Sequence, residues 1–266
     1  MKRHTTLNRS TEENIILSIL DDLEIDIFSV GQIRKLTSGK VRNTQSVLEK
    51  LSKREPAFIY RIENGKYVKR NFRNEYVIGN FLAEDGVIAY WTALNLHGLT
   101  EQFPNTIFVQ TTKQKKAVTI FGVTYRFVKV KPAKMVGIKK QGHGNNQFRI
   151  SDKEKTIIDC FDLPQYSGGI EELVRAFVNN TLDAKKMIDY CEAVNNISAI
   201  KRMGYLSELF KKKNFKNFIA YALTKVNERY SLFDPKGNNE GVHINKWKLR
   251  LNITEPNILS LTNKLY

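Results

Sequence analysis

The first apolar pattern of the chain is that of an amphipathic helix. Ser10 and Glu13 have the spacing of a capping box, in which each side chain bonds the other residue's backbone. Apolar residues then recur at intervals of three and four, which predicts one buried helix face. The residues of that face are Ile15, Ile16, Ile19, Leu20 and Leu23. A short basic segment, residues 1–9, precedes this supporting helix.

Two shorter helices are predicted next. Ser29 can cap a helix over 30–37, and Ser38 and Gly39 end it, because glycine readily takes the positive φ that follows many helices. The segment 40–54 has a polar outer face and an apolar inner face, which predicts a third helix. The predicted inner residues of this helix are Thr44, Val47, Leu48 and Leu51.

An alternating pattern then predicts a β-hairpin with strands over 58–62 and 66–68. Asn64 and Gly65 lie between these strands, and Asn-Gly is the preferred sequence of a type I′ turn. Helix, tight turn, helix and basic hairpin is the element order of the winged helix-turn-helix. Residues 29–70 resemble that family of DNA-binding domains in spacing and composition.

The charge of this stretch agrees with nucleic-acid binding. Residues 27–73 contain twelve Lys or Arg and three Glu, a charge of +9, whereas the whole chain carries +16. Such a segment binds phosphates in a salt-dependent way, and polar side chains at the start of the third helix can reach base edges. The alternative is a solvated basic face. The predicted DNA-binding residues are Lys40, Arg42, Asn43, Gln45, Ser46, Lys50 and Arg61, with Lys66 and Tyr67 in the wing.

The polar run 71–74 divides the chain into predicted domains over 1–73 and 74–266. The second domain begins with helical patterns and continues with β-forming runs that predict a small antiparallel sheet. The helices are 76–81 and 87–96, and the strands are 106–110, 117–121 and 123–130. Helical stripes follow up to residue 226, and 242–251 alternates like a strand. The predicted fold class is α+β: a winged helix-turn-helix, then a mixed α/β domain with a helical C-terminal part.

A second group of basic residues lies at the end of the predicted sheet. It consists of Arg126, Lys129, Lys131, Lys134, Lys139, Lys140 and Arg149. Lysines on edge strands oppose aggregation, so this group is either a solvated edge or a second phosphate-contacting surface. The nearby Gly142-His143-Gly144 lacks the further residues of a nucleotide-binding loop.

Candidate chemistry is sparse. Cys160 and Cys191 lie in apolar helical patterns and are expected to be buried, and the four histidines have no metal-ligand spacing. Two Asp-x-Lys triplets, 183–185 and 234–236, are the only features that suit a metal-dependent nuclease. We therefore predict no catalytic residue, metal or cofactor. A DNA-binding nuclease and a ligand-sensing repressor remain alternatives.

The sequence has no apolar run near the eighteen residues of a membrane span and no apolar core in its first residues. We therefore expect a cytoplasmic protein with no membrane partner.

Two segments of the second predicted domain resemble the AbiEi family, the antitoxins of AbiE-type abortive-infection systems. The first joins Trp-Thr-Ala-Leu at 91–94 with Gly-Leu-Thr-Glu-Gln at 98–102. The second runs from Ser151 to Asp159 and continues through Asp162 and Pro164 to Gly-Gly-Ile-Glu-Glu-Leu at 168–173. The resemblance covers roughly residues 10–180. It departs from the family at Lys155 and Thr156, where Arg and Ala are more usual.

This resemblance implies a protein with two roles. The winged helix would repress its own operon at inverted repeats. Two-fold operators lead us to expect either a homodimer or monomers that bind the two half-sites cooperatively. The second domain would counteract a nucleotidyltransferase toxin without a stable complex, as in type IV systems. The resemblance supplies no catalytic residue.

The antitoxin-domain motif consists of Glu154, Asp159, Asp162, Gly168 and Gly169. We expect structural roles: Ser151 and Glu154 would form a capping box, and Asp159 and Asp162 would bond the backbone of the glycine turn. The alternative is a polar surface used in antitoxicity.

Overall fold

The computed structural model describes residues 10–262, so the basic segment 1–9 and the last four residues, 263–266, lie outside the described residues. The described chain has a mixed α+β fold, as predicted. It divides into two compact units. Unit 1 comprises residues 10–84 and the loop 142–147, and unit 2 comprises 85–141 and 148–262.

Unit 1 is built from short helices and one small sheet. Its helices are α1 (Thr11–Asp22), α2 (Val30–Thr37), α3 (Thr44–Lys53) and α4 (Glu75–Leu82). Its strands are β1 (Ile27–Ser29), β2 (Ile59–Glu63) and β3 (Lys66–Lys69), which form an antiparallel sheet in the order β1-β3-β2. An apolar core lies between α1, α2, α3 and this sheet.

The predicted caps of α1 and α2 are confirmed. Ser10 and Glu13 form a reciprocal capping box, and Ser29 Oγ accepts a hydrogen bond from the Gln32 amide. The prediction for the α1 face was partly wrong, because Leu23 is 55% exposed. Leu23 is the C-cap of α1, and the chain turns away from the helix at this residue.

The third helix begins later than predicted. Asn43 Oδ1 accepts from the Ser46 amide, so Asn43 is the N-cap of α3 and residues 40–43 form the turn before it. The predicted inner face of α3, including Leu48 and Leu51, is buried.

The hairpin of β2 and β3 is confirmed, but its turn is not type I′. Gly65 has a φ of +69°, whereas Asn64 does not lie in the left-handed region that type I′ requires of both central residues. The register shifts between Arg61 and Glu63, so β2 carries an irregularity next to the turn.

Unit 1 extends past the polar run at which the sequence predicted a domain boundary. Asn74 in that run caps α4, accepting from the backbone amides of Tyr76 and Val77. Lys66 of β3 then donates to the carbonyl of Leu82 at the end of α4, 2.8 Å away. This bond ties α4 to the hairpin.

Unit 2 contains two sheets and a larger group of helices. Its strands are β4 (Val87–Ile88), β5 (Thr106–Thr111), β6 (Val118–Ile120), β7 (Val123–Lys129), β8 (Ile138–Gln141), β9 (Phe148–Ser151), β10 (Ser231–Leu232), β11 (Val242–Ile244) and β12 (Leu249–Leu251). Its helices are α5 (Tyr90–Leu96), α6 (Lys153–Asp162), α7 (Ile170–Val178), α8 (Ala184–Val194), α9 (Ile197–Leu209), α10 (Lys216–Thr224) and α11 (Glu255–Ser260).

The larger sheet of unit 2 is mixed, so the prediction of an antiparallel sheet was wrong. Its strand order is β6-β7-β5-β4-β9-β8, with β5 parallel to β7 and β4 parallel to β9. The three predicted strands are β5, β6 and β7. β7 lies between these two neighbours, antiparallel to β6 and parallel to β5.

The predicted helix 87–96 is a strand followed by a shorter helix. Val87 and Ile88 form β4 between β5 and β9, and both are buried. Tyr90 has a φ of +56° and begins α5. Two buried apolar residues at the start of a helical pattern are equally compatible with a helix and with a central strand. Periodicity alone cannot distinguish the two.

The core of unit 2 surrounds α6. This helix contacts α5, α7, α8 and α9, and its residues from Glu154 to Phe161 are all buried. The segment 242–251, predicted as one strand, contains β11 and β12, which pair in a second sheet of order β10-β12-β11.

Candidate functional site

The residues predicted to read DNA lie in the turn before α3 and on its first turns. Lys40, Arg42, Gln45 and Lys50 are exposed, and Ser46 is half-buried. The Arg42 backbone amide donates to Glu12 Oε1 at 3.0 Å, which fixes the turn against the start of α1. Exposed basic and amide side chains therefore extend from a turn whose backbone is held in place.

Two of these side chains also have local partners. Asn43 uses its Oδ1 atom to cap α3, so its carbonyl oxygen is engaged within the protein. Gln45 Nε2 donates to Glu49 Oε1 at 3.1 Å, one helical turn further along. Gln45 is exposed, so a base edge would compete with Glu49 for this amide.

The hairpin contributes less to this surface than predicted. Arg61 is exposed, and its guanidinium donates to Asn64 Oδ1 at 3.0 Å near the turn. Lys66 is held by the Leu82 carbonyl and by Glu63 Oε2, 3.0 Å away, so its ammonium is already engaged within unit 1.

The prediction that Tyr67 contacts phosphates was wrong. Tyr67 is only 1% exposed, and its ring stacks on Phe28 with the ring centroids 6.1 Å apart. Burial raises the pKa of its hydroxyl. Adjacent strand residues face opposite sides of a sheet, and Tyr67 faces the core of unit 1.

A buried ion pair braces the helices beneath this surface. Arg54, the C-cap of α3, places its guanidinium 2.5 Å from Glu13 Oε2, and the Glu13 side chain is 3% exposed. Burial by itself would raise the pKa of Glu13. Hydrogen bonds from the Ser10 amide and from Arg54 outweigh this effect, so the pKa lies below its ordinary value. The sequence showed the capping box but not this distant partner.

Glu154, in the predicted antitoxin motif, does not cap its own helix. The N-cap of α6 is Asp152, whose Oδ1 accepts from the Lys155 amide at 2.9 Å. Glu154 Oε1 instead accepts from the Asp183 amide at 3.0 Å, and Glu154 Oε2 lies 3.8 Å from Lys186 Nζ. Glu154 therefore connects α6 with the start of α8, and the predicted Ser151–Glu154 box is wrong.

The two aspartates of the motif do not bond the glycine turn, which corrects a second expectation. Asp159 pairs with Lys155 one turn earlier in α6, and both side chains are buried. Burial raises the pKa of Asp159 despite this lysine. Asp162 accepts from Lys134 Nζ at 2.6 Å and from Asn196 Nδ2 at 2.8 Å.

The two glycines of the motif have a conformational role. Gly168 and Gly169 have φ values of +83° and +115°, which side chains disfavour. A Cβ on Gly168 would also lie 2.8 Å from Trp91 Cε2. The second resembling segment therefore packs its glycine turn directly against the first, which begins at Trp91.

The sequence did not lead us to expect two hydrogen-bonded pairs of polar side chains in the core of unit 2. Gln110 of β5 donates to the Tyr90 hydroxyl at 3.1 Å, and both residues are buried. Ser151 and Thr156 bond through their hydroxyls at 2.7 Å. A glutamine inside an otherwise apolar β-forming run was the available signal, because a buried amide requires polar partners.

The carboxylates considered for a nuclease have local roles. Asp183 caps α8 by accepting from the Lys185 and Lys186 amides, and Asp234 accepts from the Lys236 amide in a turn. Across residues 10–262, no three His, Cys, Asp or Glu side chains form a group that could hold a metal ion.

Histidine and cysteine side chains are also engaged or buried. His97 Nε2 lies 2.7 Å from the Ser151 carbonyl, and burial lowers the pKa of this imidazole. Cys160 and Cys191 are buried, as predicted, and burial raises the pKa of both thiols.

Most of the second basic group is exposed, and two of its members also contact other side chains. Lys139 and Lys140 are exposed on the edge strand β8, and Lys129 and Lys131 are exposed at the end of β7. Lys134 pairs with Asp162, and the Arg126 guanidinium lies over the Tyr166 ring, 4.9 Å from its centroid. This arrangement fits both sequence interpretations, a solvated edge and a phosphate-contacting surface.

The chain was compared with known proteins. No family model and no curated protein matches it. Its fold is similar to that in a crystal structure of the RV2827C protein from Mycobacterium tuberculosis, with a TM-score of 0.64 and 13% sequence identity. The match covers 97% of this chain and 96% of that one, so the similarity of fold includes both units.

Within the described part of the chain, no helix is both long and apolar enough to cross a membrane.

Proposed function

We propose that unit 1 is a winged helix-turn-helix that binds double-stranded operator DNA. The observation that carries this proposal is the exposed set of Lys40, Arg42, Gln45 and Lys50 at the turn and on the outer face of α3. The buried face of α3 fixes this helix on the core, so its polar face is presented rigidly. In helix-turn-helix proteins, the start of the second helix contacts bases and basic side chains contact phosphates.

The corrected positions change the expected contacts. Arg42 and Gln45 are the best-placed base readers, because a guanidinium suits guanine and an amide suits adenine. Lys40, Lys50 and Arg61 would contact phosphates. Tyr67 and Lys66 are left out of the interface because both are engaged within unit 1.

We further propose that the chain is an autorepressor and antitoxin of an AbiE-type, type IV system, acting in the cytoplasm and without enzymatic activity of its own. The support is the resemblance of 91–102 and 151–173 to the AbiEi family. Its partners would be the inverted repeats of its own operator and a nucleotidyltransferase toxin that it counteracts without a stable complex.

The DNA proposal is tested by fluorescence anisotropy of the full chain with its own upstream region and with a scrambled duplex of equal length. Tight binding to the upstream duplex that survives moderate salt is expected. Equal and strongly salt-dependent binding to both duplexes would contradict sequence-specific repression, since it shows backbone contacts alone.

The antitoxin proposal is tested separately by expressing the neighbouring gene in a growth assay with and without this chain. Growth arrest that this chain relieves is expected. Relief should persist in the Arg42→Ala/Gln45→Ala variant, because the proposal assigns antitoxicity to unit 2. A neighbouring gene that never arrests growth, or an arrest that the chain does not relieve, would contradict the proposal.

A further inference from the structure

Unit 1 carries a surface groove between α1 and α2. The groove has a volume of about 570 Å³, and its apolar lining consists of Ile15, Ile19 and Leu36. Leu36 is 38% exposed, and both isoleucines are half-buried. The rest of the lining is polar and includes Lys40.

The apolar face of α1 is wider than the part of it that is fully buried in the core of unit 1. Ile16 and Leu20 are fully buried in the core. Ile15 and Ile19, also four residues apart, form a second stripe that faces the groove beside Leu36. Exposed apolar groups that lie together, with polar residues around them, are typical of an interaction site.

Lys40 lines one end of the groove, and Asp22 lies beyond its other end, next to the lining residue Ser18. Lys40 lies at the end where α1 begins, because the neighbouring Arg42 backbone amide bonds Glu12 there. Asp22 is the last residue of α1 and accepts from Ser18 Oγ at 2.9 Å, and Ser18 also lines the groove. At 1.5 Å per residue, the ends of α1 are separated by about 16 Å.

We propose that this groove is a contact surface for a second copy of the chain. A two-fold contact places the same surface on both partners, so the surface must complement itself. An antiparallel pair of these grooves meets that condition, since the apolar residues meet at the centre and each Lys40 faces the partner copy's Asp22. This self-association does not rest on DNA binding, and it concerns the DNA-free chain, since the proposed function assigns Lys40 to a phosphate when DNA is bound.

The first test is the mass of the full chain in DNA-free buffer, measured by sedimentation over a range of about 1 to 200 µM. The molar mass is expected to rise with protein concentration from that of one chain towards that of two chains. Leu36→Glu is expected to keep the mass at one chain, because it places a carboxylate on the apolar centre.

Leu259→Glu is the matched control, because Leu259 on α11 is also 38% exposed but lies in unit 2. This control should associate like the unmodified chain. A mass of one chain at all concentrations, or equal association of the two variants, would overturn the proposal.

The second test reverses the charges at the ends of the groove. Asp22→Lys and Lys40→Glu are each expected to weaken association about tenfold, because each replaces two exposed opposite-charge pairs of a two-fold dimer by two like-charge pairs. The double variant restores opposite charges and should associate like the unmodified chain. Both residues are exposed, so folding is expected to persist, and a circular dichroism spectrum checks this. Additive weakening in the double variant would overturn the antiparallel pairing.

Discussion

The ion pair of Glu13 and Arg54 allows a sharp test of how α1 is held on α3. Arg54→Met removes the cation but retains most of the apolar stem, which leaves a carboxylate that is 3% exposed without its partner. Loss of one member of a buried pair destabilises proteins by about 3–5 kcal/mol. The Arg54 side chain is 23% exposed, so water can partly solvate the Glu13 carboxylate once the guanidinium is removed. We therefore expect a destabilisation at the lower end of this range, about 3 kcal/mol.

Hydrogen exchange of the full chain measures this change locally. A loss of about 3 kcal/mol corresponds to roughly 100-fold faster exchange of the α1 and α3 amides that open together. Lys53→Met, which removes an exposed charge from the same end of α3, is the control and should change exchange little. Unchanged protection of α1 in Arg54→Met would refute the claim that this pair holds the two helices together.

The pH dependence of the same variant has a defined sign. The folded-state pKa of Glu13 is lowered, so the pair's contribution is present above the unfolded pKa of about 4.5 and is lost as pH falls through the folded value. In Arg54→Met, burial without the cation should instead raise that pKa. The difference between the two chains should therefore be largest near pH 7 and shrink below pH 4. A difference that is independent of pH would contradict this explanation.

Three further changes test unit 2. Gly168 has a φ of +83° and a tryptophan ring where a new Cβ would lie, so Gly168→Ala should lower the free energy of unfolding, measured in urea, by about 3 kcal/mol. Gly98 has a φ of +65° but open space around it, so the control Gly98→Ala should lower the same free energy by only about 1 kcal/mol. Asp159→Asn leaves Lys155 buried without a counter-charge and should lower the free energy of unfolding by about 3–5 kcal/mol in the same assay. A decrease of less than about 1 kcal/mol would contradict a buried ion pair. Burial lowers the pKa of His97, so its contribution to stability should be fully present above pH 6.5 and should be lost as pH falls from there through the lowered folded-state pKa. Thermal melts of His97→Asn should lack this pH-dependent component.

The sequence was sufficient to predict α1, α2, α3 and the hairpin of β2 and β3, because each has a local cause. It did not predict β1, which forms by pairing with the distant strand β3. Ser10, Ser29 and the Ser38-Gly39 break fix the helix ends, and the apolar positions of α3 identify its inner face. The start of α3 was misplaced because residues 40–43 are polar and compatible with either a turn or a helix. This shift moves Lys40 and Arg42 from the predicted helix into the preceding turn.

The errors in unit 2 arose where long-range pairing overrides local pattern. Val87 and Ile88 form a strand only because β5 and β9 lie on either side of them. The parallel pairing of β5 with β7 depends on the strand order, which a pattern of three β-forming runs does not encode. Sequence spacing therefore predicted which runs form strands but not how these strands are arranged.

For the candidate sites too, features with a local cause were predicted and features that depend on distant residues were not. The exposure of the polar face of α3 followed from the helical spacing of its apolar residues in the sequence. The partners of Tyr67, Lys66, Asp159 and Asp162 did not, because each partner is distant in sequence or depends on which side of an element faces the core. Single charged or aromatic residues near a turn are equally compatible with a ligand contact and with an internal bond.

The most direct test of the central claim compares the Arg42→Ala/Gln45→Ala variant with the unmodified chain in DNA binding. Anisotropy titrations would use the upstream duplex and the scrambled duplex at the same salt concentration. If the turn and the start of α3 read bases, the variant should bind both duplexes equally and keep the affinity that the unmodified chain has for the scrambled one. An unchanged preference for the upstream duplex, or an equal loss on both duplexes, would contradict the assignment of base reading to this surface.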